Sequence, residues 1–497
     1  LPSDERGRVL TANTLVVEGH PRLLASGDCG VISTHPRPPS GVWAVRSAPL
    51  LAANLQRAID GKPLLRWRPQ RRALQLIGDG GVSRDRRPRA IALWGGLALG
   101  PSRLLWQWKD QIDRRFMRGF TDLPAQMQSS RRWFQQRRNP KATAMACRGC
   151  AAKLGGSALR AALQELDQPT AQAIGVPWPR NDDAAAISTS CDGQVLLQSV
   201  DGFPALLSDP WLNGRLTTLH ACSDLWACGA TVASAQAVVI LPQLASTLQS
   251  DLLLQTLAGV RSVLDPLGAS LLGGHTLESR DRDRSDGDEV GSLMLTVNGH
   301  TPQNRLWPKG PLRPGEALIL TRPIGTGVLF AAAMASAVEP QWLDQALMVM
   351  QQSQAPLVDL LAAHGCRACT DITGFGLLGH LGEMLRAPEP GSTSLLSAHY
   401  VQLDAETLKK LALPGAMELL KAGYASTLAP MNADALELLD RTVSISGPAD
   451  TTLHQLLIDP QTCGPLLAAV PQEAAATTLD ALHQQGFRHA AVIGQAH

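Results

Sequence analysis

The sequence predicts a mixed α/β (α+β) protein with more than one domain, and three observations carry that expectation. The chain has 497 residues, which bounds it at two to four domains. Short apolar, β-branched runs bounded by Gly, Asp and Pro alternate with segments of helical periodicity. Charge is divided unevenly: residues 1–145 carry 25 Lys/Arg against 10 Asp/Glu, a net of +15, and the remainder carries 20 against 33, a net of −13. That split argues for two units of different origin.

The apolar fraction of 44% and charged fraction of 18% are ordinary for a globular protein. The basic front half is a poor nucleic-acid binder on paper, because its arginines are scattered and no base-reading motif accompanies them. A basic face toward a membrane surface or a partner fits better. Nine cysteines do not make a disulfide scaffold in a chain this long; their odd number and close pairs suit a reducing, cytoplasmic setting. No signal-peptide pattern is visible. The longest charge-free apolar run, between Arg89 and Arg103, has about 13 residues and is too short to span a bilayer. The chain starts at Leu1 in what reads as mid-domain, as a fragment of a longer protein would.

In chain order, residues 1–30 read as a turn, a short strand and an apolar run into Ser26-Gly27-Asp28, a ligand-facing strand end. A helix follows Gly41 and stops near Asp60-Gly61. Residues 62–100 read as short strands with a turn at Gly78-Asp79-Gly80-Gly81. Residues 102–119 are amphipathic, with Leu104, Leu105, Trp108, Ile112 and Phe116 against Lys109, Arg114, Arg115 and Arg118. The polar, basic stretch 123–145 is assigned as a linker between a front segment (1–122) and the rest of the chain. Pro302, Pro308, Pro311 and Pro314 then mark a boundary that separates 146–310 from 311–497.

Inside the second part, Ala184–Thr189 and Val195–Val200 flank Asp192-Gly193, a strong hairpin signal. In a two-residue turn Cys191 pairs with Gln194, Ala184 faces Asp201, and Asp183 faces Gly202 at the open end. Carboxylates so placed repel unless a cation lies between them; alone, they also read as solvated turn aspartates. A helix spans about Leu212 to Cys228, with His220 and Asp224 on one face, which also fits an intrahelical surface pair. Leu271-Leu-Gly-Gly-His275-Thr276 reads as a buried strand ending where glycine lets a phosphate approach the backbone, or as a plain turn. Ala317–Leu320 is a strand, Gly325-Thr-Gly327 a turn and Val328–Ala337 a helix. Asp371-Ile-Thr-Gly-Phe-Gly-Leu-Leu-Gly-His380 places an acidic residue before a helix, where it reads as a metal ligand or a cap. Cys150 and Lys153 pair a thiol with a cation three residues on. Cys147-x-x-Cys150 and Cys366-x-x-Cys369 also have zinc-knuckle spacing, though more than 200 residues apart.

In order, Cys150-x-x-Lys153, Asp182-Asp183-Ala-Ala, Val200-Asp201, Ser223-Asp224-Leu, Gly273-Gly-His-Thr276, Pro323-Ile-Gly-Thr-Gly-Val328, Thr370–His380 and Asp459-Pro-Gln-Thr462 resemble the selenophosphate synthetase (selenide, water dikinase) family, over residues 147 to 497. The resemblance implies a two-half ATP-binding fold like that of aminoimidazole ribonucleotide synthetase, paired as a homodimer through its first half. It implies Mg²⁺ on Asp183, Asp224 and Asp371, and ATP on Lys153, Arg180, Asn181, Asp182, Asp201, Asp224, Gly274, His275 and Thr276. Cys150 and Lys153 become the catalytic pair. The implied reaction is ATP + selenide + water → selenophosphate + AMP + phosphate, with selenium arriving as free selenide or from a delivery protein. Cys463 and Pro465 depart from the usual Ser and Gly, and Pro465 lacks a backbone donor. Cys147 is extra to the simplest motif.

Residues 1–120 resemble the C-terminal end of a pyridine nucleotide-disulfide oxidoreductase of the NADH dehydrogenase type, a partner to which such synthetases are known to be fused. Gly27-Asp28 matches its flavin-ribityl segment. No G-x-G-x-x-G occurs in residues 1–145, so FAD is expected only if a missing N-terminal half is present. The rival readings are another ATP-using enzyme of the same fold, such as a thiamine monophosphate kinase or hydrogenase-maturation dehydratase, a flavin-dependent oxidoreductase subunit, and a redox or zinc module.

Overall fold

The computed structural model describes residues 1–39, 41–70, 74–78, 88–121, 148, 152, 182–279, 291–387 and 400–497. The chain divides into two compact units, Leu1–Thr143 and Ala144–His497. The assigned linker 123–145 lies outside the described residues.

In the first unit, β1 (Val9–Thr11), β2 (Val16–Val17), β3 (His20–Leu24) and β4 (Gly30–Ile32) form a sheet in the order β3-β2-β1-β4. Helix α1 (Gly41–Ile59) follows where the periodicity places it. Its buried Asn54 donates from Nδ2 to the carbonyls of Thr14 and Leu65, both at 2.9 Å, tying the helix to chain on either side. A second sheet, β5 (Leu74–Gly78), β6 (Ala90–Trp94) and β7 (Leu97–Ser102), is an antiparallel meander under α2 (Arg103–Thr121). The amphipathic helix is present, but its inward face is not the expected stripe. Leu105 and Trp106 are half-buried, whereas Leu104, Trp108 and Ile112 are exposed.

The second unit begins with a five-stranded sheet. Its strands are β8 (Ala185–Thr189), β9 (Gln194–Pro204), β10 (Thr231–Leu241), β11 (Ser270–Glu278) and β12 (Ser292–Pro302), in the order β11-β10-β12-β9-β8. The β8–β9 hairpin forms, with a correction to its register. Ser190 pairs with Gln194 around a three-residue loop in which Gly193 has φ +78°, and a bulge near Ile187 then sets Ala186 opposite Leu197. The expected two-residue turn would need positive φ at Asp192 as well. The longer loop confines it to glycine.

Helix α3 (Pro210–Ala227) packs between β9 and β12 on one side and the second half of the unit on the other. That position explains why it is apolar nearly all round, unlike a surface helix. Asp209 caps it by accepting from Leu212 N at 2.9 Å, and Gly229 at φ +75° ends it. Helix α4 (Ser246–Leu264) lies against α3, with Gly259 so close to the Trp211 carbonyl that a Cβ would overlap it. Strand β11 is the exposed sheet edge rather than the buried strand expected. Its apolar run signals pleat and pairing, not burial.

The second half carries β13 (Glu316–Leu320), α5 (Thr326–Met334), α6 (Pro340–Met350), α7 (Pro356–Ala363), β14 (Ala368–Asp371) and α8 (Gly376–Arg386). With β15 (Val401–Asp404), β16 (Val443–Ser446), β17 (Leu466–Pro471) and β18 (Ala491–Ala496) it forms a six-stranded sheet, β14-β17-β13-β18-β15-β16. All pairings are antiparallel but β15–β16. One apolar core joins both halves, with Leu225 and Trp226 of α3 in the same cluster as Leu357, Leu361, Cys369 and Ala468.

Candidate active site

Three elements deliver three carboxylates to one point. Asp183 stands just before β8, Asp224 on the last turns of α3, and Asp371 at the end of β14. One oxygen from each lies within 4.8 Å of the others, the one such group among the described residues. Each is oriented by a hydroxyl. Ser199 of β9 donates to Asp224, Ser223 of α3 donates to Asp371, and Thr370 donates to Asp183 Oδ1 at 3.2 Å. Asp371 is buried, ends its strand, and does not cap α8, which starts five residues later. Asp183 Oδ2 is buried without a hydrogen-bond partner. A buried carboxylate oxygen left so is costly unless a cation meets it. Hard carboxylate oxygens suit Mg²⁺.

A second layer surrounds this point, and sequence reasoning missed it. The Lys309 ammonium lies 2.9 Å from Asp183 Oδ1 and 3.2 Å from Glu383 Oε2, while its backbone N–H donates to Asp182 Oδ2 at 3.2 Å. His380 Nδ1 lies 3.3 Å from the same Glu383 oxygen, and its Nε2 lies 3.2 Å from Thr373 Oγ1. Burial pushes Asp182 up to about 7, with Asp183 adding to it. Burial also raises Asp183, against Lys309. Burial would lower Lys309, but Asp183 and Glu383 outweigh it and hold the ammonium well above the usual lysine range. Burial would raise Glu383; the His380 hydrogen bond and Lys309 draw it down to about 2. In the sequence, Lys309 stands out only as part of a Pro/Gly boundary, and Glu383 only as a helix residue. The legible hint is Glu383 three residues after His380, on one helix face.

The expected neighbour of His220 is corrected as well. His220 Nε2 faces Asp201 Oδ2 at 3.2 Å, and Cys463 N–H donates to His220 Nδ1 at 3.2 Å. An accepting Nδ1 makes Nε2 the protonated nitrogen toward Asp201. Sequence spacing suggests Asp224, but Asp201 points to α3 because odd-numbered residues of β9 form its inward face.

Gly274, His275 and Thr276 are not brought to the carboxylate group. They lie on β11 at the far edge. Asp201 pairs with Leu295, Leu295 with Ala237 and Ala237 with Gly274, so Asp201 and Gly274 share one row across the sheet. Three strand spacings separate them, roughly 14 Å. Cys147, Cys150, Lys153, Arg180 and Asn181 lie outside the described residues. Cys366 and Cys369 are buried beside β14, and no cysteine joins a metal-holding group among the described residues.

Two family models match the second unit: AIR synthase related protein, N-terminal domain, over residues 181–300, and AIR synthase related protein, C-terminal domain, over residues 313–497. The fold is therefore that of the AIR-synthase-related proteins, in two halves. Curated relatives narrow this. The selenide, water dikinase of Geobacter metallireducens is 33% identical over 350 residues, covering 70% of this chain and 93% of that protein. The selenide, water dikinase of Pelobacter propionicus is 32% identical over 349 residues, covering 70% and 92%. The chain belongs to the selenide, water dikinase family. No described helix is long and apolar enough to cross a membrane.

Proposed function

We propose that the chain makes selenophosphate from selenide and ATP, releasing AMP and phosphate. The observation that carries this reading is the meeting of Asp183, Asp224 and Asp371 around an unpartnered buried oxygen, where the two halves join. These three residues would hold Mg²⁺. The chemistry Mg²⁺ supplies when bound is neutralisation of polyphosphate charge. Ser199, Ser223 and Thr370 fix the carboxylates before any ligand arrives, so little reorganisation is left for the reaction. Asp201 and Gly274 share one sheet row, and His275 and Thr276 follow Gly274 along β11, which supports a nucleotide laid across the sheet. Arg180 and Asn181 belong to the same nucleotide reading, as does Lys153, whose ammonium offsets phosphate charge. Selenide attacks the γ-phosphorus, ADP leaves, and water then cleaves ADP to AMP and phosphate. Hydrogen selenide is anionic near neutral pH and needs little base catalysis; its difficulty is repulsion from ATP. Cys150 holds or delivers selenium.

The test separates these roles. Lys153→Ala abolishes ATP cleavage with or without selenide. Cys150→Ser abolishes selenophosphate formation and leaves nucleotide binding largely intact, and Cys147→Ser is mild. Full selenophosphate output from Cys150→Ser at low selenide contradicts the role given to that thiol.

We also read the chain as a homodimer in the cytoplasm. Leu196, Val200 and Met294 are exposed on the sheet face opposite α3, an apolar face that a second copy would cover. The first unit is read as the end of a flavin-dependent oxidoreductase that supplies reducing equivalents to keep selenium as selenide. Its Gly27, at φ +74°, turns the chain ahead of Asp28, the pair that matches the ribityl-binding segment.

A further inference from the structure

Among the described residues, one ammonium group stands inside the carboxylate cluster. Lys309 is only 8% exposed, and it touches Asp183, a proposed metal ligand, and Glu383, which belongs to the other half. It sits in the crossing segment between β12 and β13, at the boundary of the two halves. Its backbone N–H fixes Asp182 at the same time. Five carboxylates, Asp182, Asp183, Asp224, Asp371 and Glu383, converge here with this single ammonium. Lys309 takes one oxygen of Asp183 and leaves Oδ2 bare. That division of one carboxylate is what a shared ligand needs, with one oxygen for a resident cation and one for an arriving one.

We propose that Lys309 is a built-in cation of the metal centre, which neutralises part of the carboxylate cluster so that divalent ions bind reversibly, and that Glu383 shares its ammonium with Asp183 and so sets how much. The inference rests on the metal reading above. It makes Lys309 and Glu383 positioning residues of opposite electrostatic sign. A merely structural ion pair predicts the same effect from breaking either partner. A charge role predicts opposite effects, because like charge repels the arriving ion and opposite charge attracts it.

The experiment is Mn²⁺ binding to the full nucleotide-free chain at pH 8, read by electron paramagnetic resonance and calorimetry, for the unmodified protein, Lys309→Met, Lys309→Arg and Glu383→Gln. Lys309→Met should bind Mn²⁺ on the order of tenfold more tightly, or take one more ion, while Lys309→Arg stays near the unmodified value. Glu383→Gln should bind several-fold more weakly, because the ammonium then rests wholly on Asp183. If Lys309→Met does not fold, Glu383→Gln carries the test alone, and unchanged or tighter binding in it overturns the inference. Weakening in both variants also overturns it and leaves a structural pair. Absence of saturable Mn²⁺ binding to the unmodified protein overturns the metal reading itself, a separable failure.

Discussion

Asp371 has neighbours of two kinds, a donor in Ser223 and a like charge in Asp183. Asp371→Asn keeps an acceptor for Ser223 and removes one of the mutually repelling charges. Its melting temperature without metal should therefore match or exceed that of the unmodified chain, while the upward shift on adding Mg²⁺ disappears and turnover falls at least a hundredfold. Thermal melts with and without Mg²⁺ check this, and a Mg²⁺-dependent shift that survives contradicts the ligand assignment. Asp459 gives a pH signature away from the centre. Its Oδ2 accepts from Val328 N at 3.0 Å and Gln461 Nε2 at 3.1 Å, at the start of α5, yet burial raises it from 3.8 to about 7. The folded protein binds this proton more tightly than the unfolded one. Its stabilising contribution is thus complete below about pH 4 and is lost as pH rises to about 7, by at most about 4 kcal/mol. Denaturant melts across that window should show the decline in the unmodified chain and a flatter profile in Asp459→Asn. Equal slopes would contradict the burial account. Asp183, Asp224 and Asp371 stood out in the sequence at local landmarks, a hairpin mouth, an apolar helix and a Gly-punctuated strand end, but it was the family resemblance that separated them from Asp182 and Asp201. Lys309 did not stand out, because nothing within its own segment distinguishes a buried lysine from a solvated one. Its partners come from the turn just before β8 and from α8.

At the scale of elements, the β8–β9 hairpin and helix α3 were legible from turn chemistry and periodicity, while register and facing were not. Asp192-Gly193 signals a reversal, but one extra loop residue and a bulge shift the pairing, so that Ala185 faces Gln198 rather than Val200. The exposed Leu104, Trp108 and Ile112 of α2 show the same limit: periodicity finds a helix but does not say which stripe is covered. Contact between α3 and α4 depends on Gly259, where a Cβ would overlap the Trp211 carbonyl and press on Arg215 N. Gly259→Ala should cost about 1–3 kcal/mol by forcing the helices apart, despite alanine's better helix propensity. A urea midpoint lowered without a change in slope would bear this out. An unchanged midpoint would mean that the helix pair slides freely. Since α3 carries both Asp224 and Ser223, the same variant should also weaken Mn²⁺ binding.

At the scale of the whole molecule, the division of charge anticipated two units, and the family motifs anticipated a two-halved fold for the second. What lay beyond reach was the shared core, in which Trp226 of one half and Cys369 of the other are buried together, because pairing between distant elements leaves no local periodicity. The first unit offers little room beside its Ser26-Gly27 turn. Among the described residues the cavity there is about 40 Å³, lined by Trp43 and Trp67, whereas pockets for drug-sized ligands start at about 300 Å³. The purified chain should be colourless, and a stoichiometric flavin spectrum would contradict that. Selenophosphate synthesis by the second unit is measured most directly by ³¹P nuclear magnetic resonance of ATP incubated with the chain, Mg²⁺ and ⁷⁷Se-enriched selenide under reducing, anaerobic conditions. A new phosphorus resonance split by selenium should appear, with AMP and inorganic phosphate rising in step with it. Consumption of ATP to ADP alone, with no selenium-coupled phosphorus signal, would contradict it.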